Sequence, residues 1–272
     1  MFIDVADGKL FALRHGDRTK RTIVGIGGFV GSSEVWAEPF AVLSDRWSTI
    51  AYDHRGTGAS IASTSSITFD NLVSDLFAVM DAYGVERGVI AAESAGALTA
   101  LTAALAQPDR VSHLVIVDGL YYTEPASGPG LSDWQKYLLT SYEAWVADFV
   151  EQCMPEPDSE HVKAWGRKML TRVAPEDAVA LSKAGQGVDV RPRLSGIEQP
   201  TLVIHGRLDV VTSVESAEAL ASQIPGAELK MIEDAGHVPV MTRPSAVADA
   251  MSTFLALHQR PAVLARPKVR PS

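Results

Sequence analysis

The chain has 272 residues, 46% of them hydrophobic, which is enough to bury one substantial core and excludes a disordered protein. Its 24 Lys and Arg stand against 33 Asp and Glu, and the resulting net charge of -9 repels nucleic acid and anionic membranes. A single cysteine, Cys153, excludes an internal disulfide framework, and no stretch approaches the ~18 uninterrupted apolar residues of a membrane span.

The opening MFIDVADGKL carries Asp4, Asp7 and Lys9 where a secretory leader needs an apolar run, so a cytoplasmic protein is expected. Eight strands follow one another along the chain: FIDVA, LFALR, TIVGIG, STIAYD, GVIAAE, HLVIVDG, TLVIHG and ELKMIED. The middle ones are nearly continuous in apolar character, as strands covered on both faces are, and helix-period segments alternate with them. NLVSDLFAVMDAYG sets Leu72, Val73, Leu76, Phe77, Met80 and Tyr83 on one helical face, with Gly84 placed to end it. RPSAVADAMSTFLALH does the same with Val247, Met251, Phe254 and Leu255 behind Pro244 in the first turn. The fold class is therefore α/β, an eight-stranded, mostly parallel sheet flanked by helices.

Between Gly119 and about Ile197 the strand rhythm stops. DWQKYLLTSYEAWVADFVEQ and SEHVKAWGRKMLTRV read as helices, so residues 121–196 are expected to form a helical cap inserted after the sixth strand, with 1–120 and 197–258 as the core. The cap is rich in aromatics, and Trp134, Trp145 and Trp165 are candidates to line a pocket for a small apolar molecule. The tail QRPAVLARPKVRPS, residues 259–272, holds Pro261, Pro267 and Pro271 and four basic residues without an acid, and is expected to be disordered.

The segment AAESAGALTA places Ser94 between strand GVIAAE and helix AGALTALTAALA, where a sharp corner would project its hydroxyl clear of the sheet. Side chains two residues before and after would collide at such a corner, which accounts for Ala92 and Gly96. The free amide of Ala95 at the helix start could donate to an oxyanion formed when Ser94 attacks a carbonyl. A serine needs a base and a group to orient the base. Asp209 follows strand TLVIHG and His237 follows strand ELKMIED, and loops that follow the strands of a parallel sheet gather at one edge. Ser94, Asp209 and His237 can therefore converge, although Asp118, at the end of HLVIVDG, reaches the same edge.

With these residues in place the chain resembles the α/β-hydrolase family, whose nucleophile, acid and histidine follow the order Ser, Asp, His. The resemblance spans residues 1–258 and rests on AESAG, GRLD and DAGH, on GIGGFVGSSEVW and on YDHRGTGAS. It implies that GIGGFVGSSEVW is the oxyanion loop, with Phe29 supplying the second amide and Gly28 beside the substrate. It makes Asp53, His54 and Arg55 parts of a structural turn, and it favours Asp209 over Asp118 as the acid. Two motifs depart from the family's common form, Gly27-Gly28 where many relatives have His-Gly, and Ala92 where many have Gly; neither removes a reacting group. The expected activity is hydrolysis of a carboxylic ester or lactone without metal or cofactor. The alternatives are cleavage of a carbon–carbon bond, cofactor-free oxygen or peroxide chemistry, or reception of a small ligand. Neither substrate identity nor oligomeric state is legible at this level.

Overall fold

A computed structural model describes residues 1–258. The expectation for the tail, 259–272, lies outside the described residues. Nine strands form one sheet: β1 (Phe2–Val5), β2 (Gly8–His15), β3 (Thr22–Ile26), β4 (Ser48–Tyr52), β5 (Ile61–Ala62), β6 (Gly88–Glu93), β7 (Val111–Val117), β8 (Thr201–Gly206) and β9 (Glu228–Ile232). Their order is β1-β2-β4-β3-β6-β7-β8-β9, with β5 beside β2. The pairs from β4 through β9 are parallel, while β2 runs antiparallel to β1, β4 and β5. The eight expected strands are all present. The ninth, β5, has two residues and no apolar alternation to announce it; its pairing with Gly8 and Lys9 of β2 creates it.

The helices are α1 (Ala37–Leu43), α2 (Phe69–Ala82), α3 (Gly96–Ala106), α4 (Asp133–Thr140), α5 (Tyr142–Cys153), α6 (Glu160–Leu170), α7 (Pro175–Gly185), α8 (Val214–Gln223), α9 (Pro239–Thr242) and α10 (Pro244–Leu257). Strand residues alternate between two cores, because successive side chains leave a strand on opposite faces. Ile23, Val89, Val115 and Ile204 pack with α1 and α10 on one side, whereas Val24, Ile90, Leu114 and Val203 pack with α2, α3 and α8 on the other. The edge strands β1 and β9, and β2 next to β1, have exposed positions; β3, β4, β6 and β8 are buried along their whole length, which is why they read as unbroken apolar runs.

In α2 the Thr68 hydroxyl accepts from the Asn71 amide at the start, and Gly84 takes a φ of 67° just past the end. The stretch 133–152, which reads as one helix, is two. Ser141 has φ -148° and ψ 42°, so the chain turns there between α4 and α5. Ser132 and Gln135 cap α4 reciprocally. The helices α4 to α7 all lie between β7 and β8. Among the described residues, no helix is long and apolar enough to cross a membrane.

Candidate active site

The corner at Ser94 is held by both of its backbone groups. The Ser94 amide donates to Val117 O at 2.9 Å as β6 ends, and the Ser94 carbonyl accepts from Ala97 and from Leu120, both at 3.0 Å. These bonds force a left-handed φ of 49° on a non-glycine residue, a conformation that costs free energy and persists only when its surroundings over-determine it. The close approach that the corner requires is visible at Gly96, where a Cβ would lie 2.6 Å from Gly27 O.

Three side chains meet there. Ser94 Oγ lies 2.8 Å from His237 Nε2, and His237 Nδ1 lies 2.8 Å from Asp209 Oδ2. The three come from the ends of β6, β8 and β9 and are 7%, 8% and 1% exposed. Asp209 is fixed in turn by its own loop. Its Oδ1 accepts from the amides of Val211 and Thr212 at 2.7 and 3.0 Å, and its Oδ2 accepts from the Thr212 hydroxyl at 2.6 Å. Burial alone would raise this carboxyl, but the hydrogen bond and charge of His237, with the Thr212 hydroxyl and amide, hold it at about 2. Thr212 was not singled out from the sequence, although a hydroxyl three residues after an aspartate is the spacing of a side-chain-stabilised turn.

Asp118 is placed differently. It sits at the end of β7 with a φ of 46°, fully buried, and its Oδ1 accepts from the Gly206 amide at 2.9 Å. Burial, and then the charge of Asp209, push its carboxyl well above the usual carboxylate range. His205, buried next to both, has Nδ1 3.0 Å from Asp118 Oδ1 without the direction of a hydrogen bond. Asp118, His205 and Asp209 are close enough among the described residues to share an ion. Asp209 Oδ2, however, already accepts from Thr212 and faces His237.

The expected oxyanion donors lie on either side of the corner. Among the described residues, neither the Phe29 nor the Ala95 amide donates within the protein, so both are free for an incoming oxygen. The loop carrying Phe29 is held from the turn after β4. Asp53 accepts from the amides of Ser33 and Ala59, both at 2.7 Å, and His54 Nε2 faces Gly28 O at 3.0 Å. Arg55 turns away, into a bidentate pair with Asp75.

Two apolar cavities meet at Gly28 and Phe29. One is lined by Ala95, Leu98, Phe69, Leu72 and Leu181; the other holds Ser94 and His237 against Phe149, Val150, Met169 and Leu170. Glu93 also lines the second cavity. None of the three tryptophans singled out from the sequence lines either cavity. Trp134 is 45% exposed and its ring lies 5.5 Å from Phe29. Trp145 stacks on Phe149 at 4.8 Å and on Tyr142 at 5.6 Å, and Trp165 donates from Nε1 to Glu34 at 3.0 Å. Trp134 and Trp145 pack on the lining residues Phe29 and Phe149, while Phe149 and Val150 of α5 and Met169 and Leu170 of α6 line the Ser94 cavity.

Known proteins match the chain along most of its length. A sequence profile described as alpha/beta hydrolase fold matches residues 21–184, and one described as TAP-like protein matches 163–266. A curated relative from Caulobacter vibrioides, "Putative carbamate hydrolase RutD", is 29% identical over 274 positions, covering 94% of this chain and 98% of its own. A solved hydrolase from Pseudomonas aeruginosa superposes with a TM-score of 0.86 at 26% identity, covering 94% of this chain and 97% of its own. Est816, described as an N-acyl homoserine lactone degrading enzyme, superposes with a TM-score of 0.81 at 26% identity over 93% of this chain and 100% of its own.

Proposed function

The chain belongs to the α/β-hydrolase fold family, and on that premise we propose that it is a serine hydrolase of small, uncharged, apolar carboxylic esters or lactones. The observation that carries this reading is the unbroken hydrogen-bond chain Ser94–His237–Asp209, buried and facing a cavity that is apolar on most sides. In this reading His237 Nε2 takes the Ser94 proton as Oγ attacks the acyl carbon, while Asp209 holds the other imidazole proton in place and stabilises the imidazolium. The Phe29 and Ala95 amides receive the negative charge on the tetrahedral oxygen. The alcohol leaves with the proton from His237, and water, deprotonated by the same imidazole, releases the acid from the acyl-enzyme. The segment 121–196 acts as a cap that shapes the substrate cavity.

The Caulobacter relative's name raises carbamate as a second substrate class. A free carbamate is an anion, and the Ser94 cavity has neither Lys nor Arg among its lining residues, while Glu93 is among them. An unpaired anion is costly to bury in such surroundings, which supports the neutral substrates. Est816, with its lactone chemistry, supports the same side.

The test offers the protein a short neutral aryl ester, a lactone and a free carbamate, together with a fluorophosphonate label. Ester or lactone turnover and labelling at Ser94 are expected, and Ser94→Ala should lose both, by about 10⁶ in turnover. Labelling without turnover of any of the three would point to carbon–carbon cleavage, cofactor-free oxygen or peroxide chemistry, or ligand reception. Turnover confined to carbamate would transfer the relative's named activity to this chain, and no labelling would remove Ser94 as the nucleophile.

A further inference from the structure

The loop that carries His237 is fastened to the loop after β8, where the Leu208 amide donates to Ala235 O at 2.8 Å, and also to the helical segment between β7 and β8. Two consecutive amides of this loop reach Cys153–Glu156, the last residue of α5 and the three after it. The His237 amide donates to Cys153 O at 2.8 Å, and the Gly236 amide donates to Glu156 Oε1 at 2.7 Å. The same oxygen accepts from the Thr242 hydroxyl at 2.7 Å, so one carboxylate oxygen ties down the loop on both sides of His237. The approach is close enough that a Cβ on Gly236 would lie 2.3 Å from Pro155 Cδ and 2.6 Å from Cys153 O. At the rim, Arg243 bridges Asp234 of the loop and Asp158 of the helical segment, at 2.7 and 3.0 Å.

Glu156 is 1% exposed, and the connection that carries it is itself braced, since the Ser159 hydroxyl donates to Glu156 O at 2.6 Å and lies within reach of Met154 O. Glu156 Oε1 accepts both loop bonds, from Gly236 and Thr242, while its Oε2 is buried without a partner among the described residues, so the side chain is held through one oxygen. Nothing in the Ser94–His237–Asp209 chain touches Glu156. Its contacts are with the backbone and side chain of the segment that aims the imidazole.

We propose that Glu156 is a positioning residue for His237, and that the helical segment, besides shaping the substrate cavity, holds the catalytic imidazole in register with Ser94. The inference rests on the reading of His237 as the base. It follows that the segment is not a detachable cover, because the turn that ends α5 lines the Ser94 cavity through Cys153 and Met154 and anchors the histidine loop through Cys153 and Glu156.

The test compares the full-length wild-type protein with Glu156→Gln, Glu156→Asp and Glu156→Ala, using a short neutral ester, the fluorophosphonate label and thermal unfolding. Glu156→Gln keeps an acceptor oxygen at the Oε1 position and should retain most of kcat. Glu156→Asp withdraws the oxygen by one methylene and Glu156→Ala removes it, and both should lower kcat by about 10²-fold, the scale of a small misplacement of a reacting group. KM should stay near the wild-type value, since no cavity side chain has changed. The His237 imidazole resonance should shift or broaden in Glu156→Ala and Glu156→Asp but not in Glu156→Gln. Equal kcat in all four proteins would overturn the inference, as would a loss in Glu156→Gln as deep as in Glu156→Ala, or a fall confined to KM. A wild-type protein that is neither active nor labelled would instead overturn the reading of the site itself. Where Glu156→Ala does not fold, Glu156→Asp decides the same question.

Discussion

Two aspartates, Asp209 and Asp118, reach the same end of the sheet, and their surroundings shift their carboxyls in opposite directions. Asp209 is held at about 2 by its partners, whereas Asp118 is pushed upward by burial and by Asp209 itself. Of the two, Asp209 is the one that bonds to the imidazole, at 2.8 Å from His237 Nδ1. Asp209→Asn should therefore lower turnover by about 10⁴, the cost of presenting the wrong tautomer, and Asp118→Asn should cost far less, since Asp118 bonds to the Gly206 amide and not to the imidazole. Steady-state rates of the two variants on one ester check the ranking. Glu93 makes a prediction about stability. Burial raises its carboxyl from 4.5 to about 7, opposed by the charge of His237 and the Gly28 amide and reinforced by Asp209. An acid whose folded value is raised binds more protons folded than unfolded, so its contribution to stability falls as pH rises through the window between those two values. Linkage makes the loss on the order of 3 kcal/mol, and Glu93→Gln should not suffer it. Urea unfolding of both proteins at pH 5 and pH 8 measures the difference; curves that move in parallel would contradict it.

At the scale of elements, α5 and α6 give the Ser94 cavity its wall, and their register decides which side chains a substrate meets. Met169 and Leu170 face inward at the end of α6, while Trp134 of α4 is half exposed and touches Phe29 from outside. Leu170→Ala and Met169→Ala should shift the preference between a short and a bulky acyl group by roughly 1–3 kcal/mol, the worth of the apolar contacts removed. Trp134→Ala should leave that preference closer to wild type. Trp145→Ala is a different case, because its ring stacks on Phe149 and meets Phe29 edge-on at 5.9 Å. It supports the cavity and the oxyanion loop together, so its loss should lower the rate on both esters. The ratio of kcat/KM for the two esters in each variant separates these outcomes.

For the molecule as a whole, the turn after β4 joins the site to the far side of the fold. Asp53 and His54 hold the oxyanion loop, and Arg55 reaches Asp75 of α2 through two bonds of 2.6 and 2.8 Å, with further bonds to Ala6 O and Ser66 Oγ. The side chains of this pair are 1% and 2% exposed. Removing one partner leaves a buried charge uncompensated, so Arg55→Ala should cost about 3–5 kcal/mol of unfolding free energy. The folded fraction should retain its turnover, since Arg55 touches no reacting group. Denaturation midpoints read with active-site labelling check both halves of this expectation.

The sequence determined the sheet, the helices behind it and the corner at Ser94, because these follow from local spacing: unbroken apolar strands, apolar residues at helical period, and small residues where two backbones must approach. The meeting of Ser94 and His237 was legible for a topological reason, since loops after parallel strands share an edge. The tertiary structure alone decided which residues of α4 to α6 turn inward and that a two-residue strand pairs with β2. It also joined Glu156 to Gly236, 80 positions apart. No periodicity or spacing encodes a contact of that kind. It depends on the direction in which each side chain leaves its helix and on how the helices between β7 and β8 settle over the sheet, and both are fixed only when the whole core has packed.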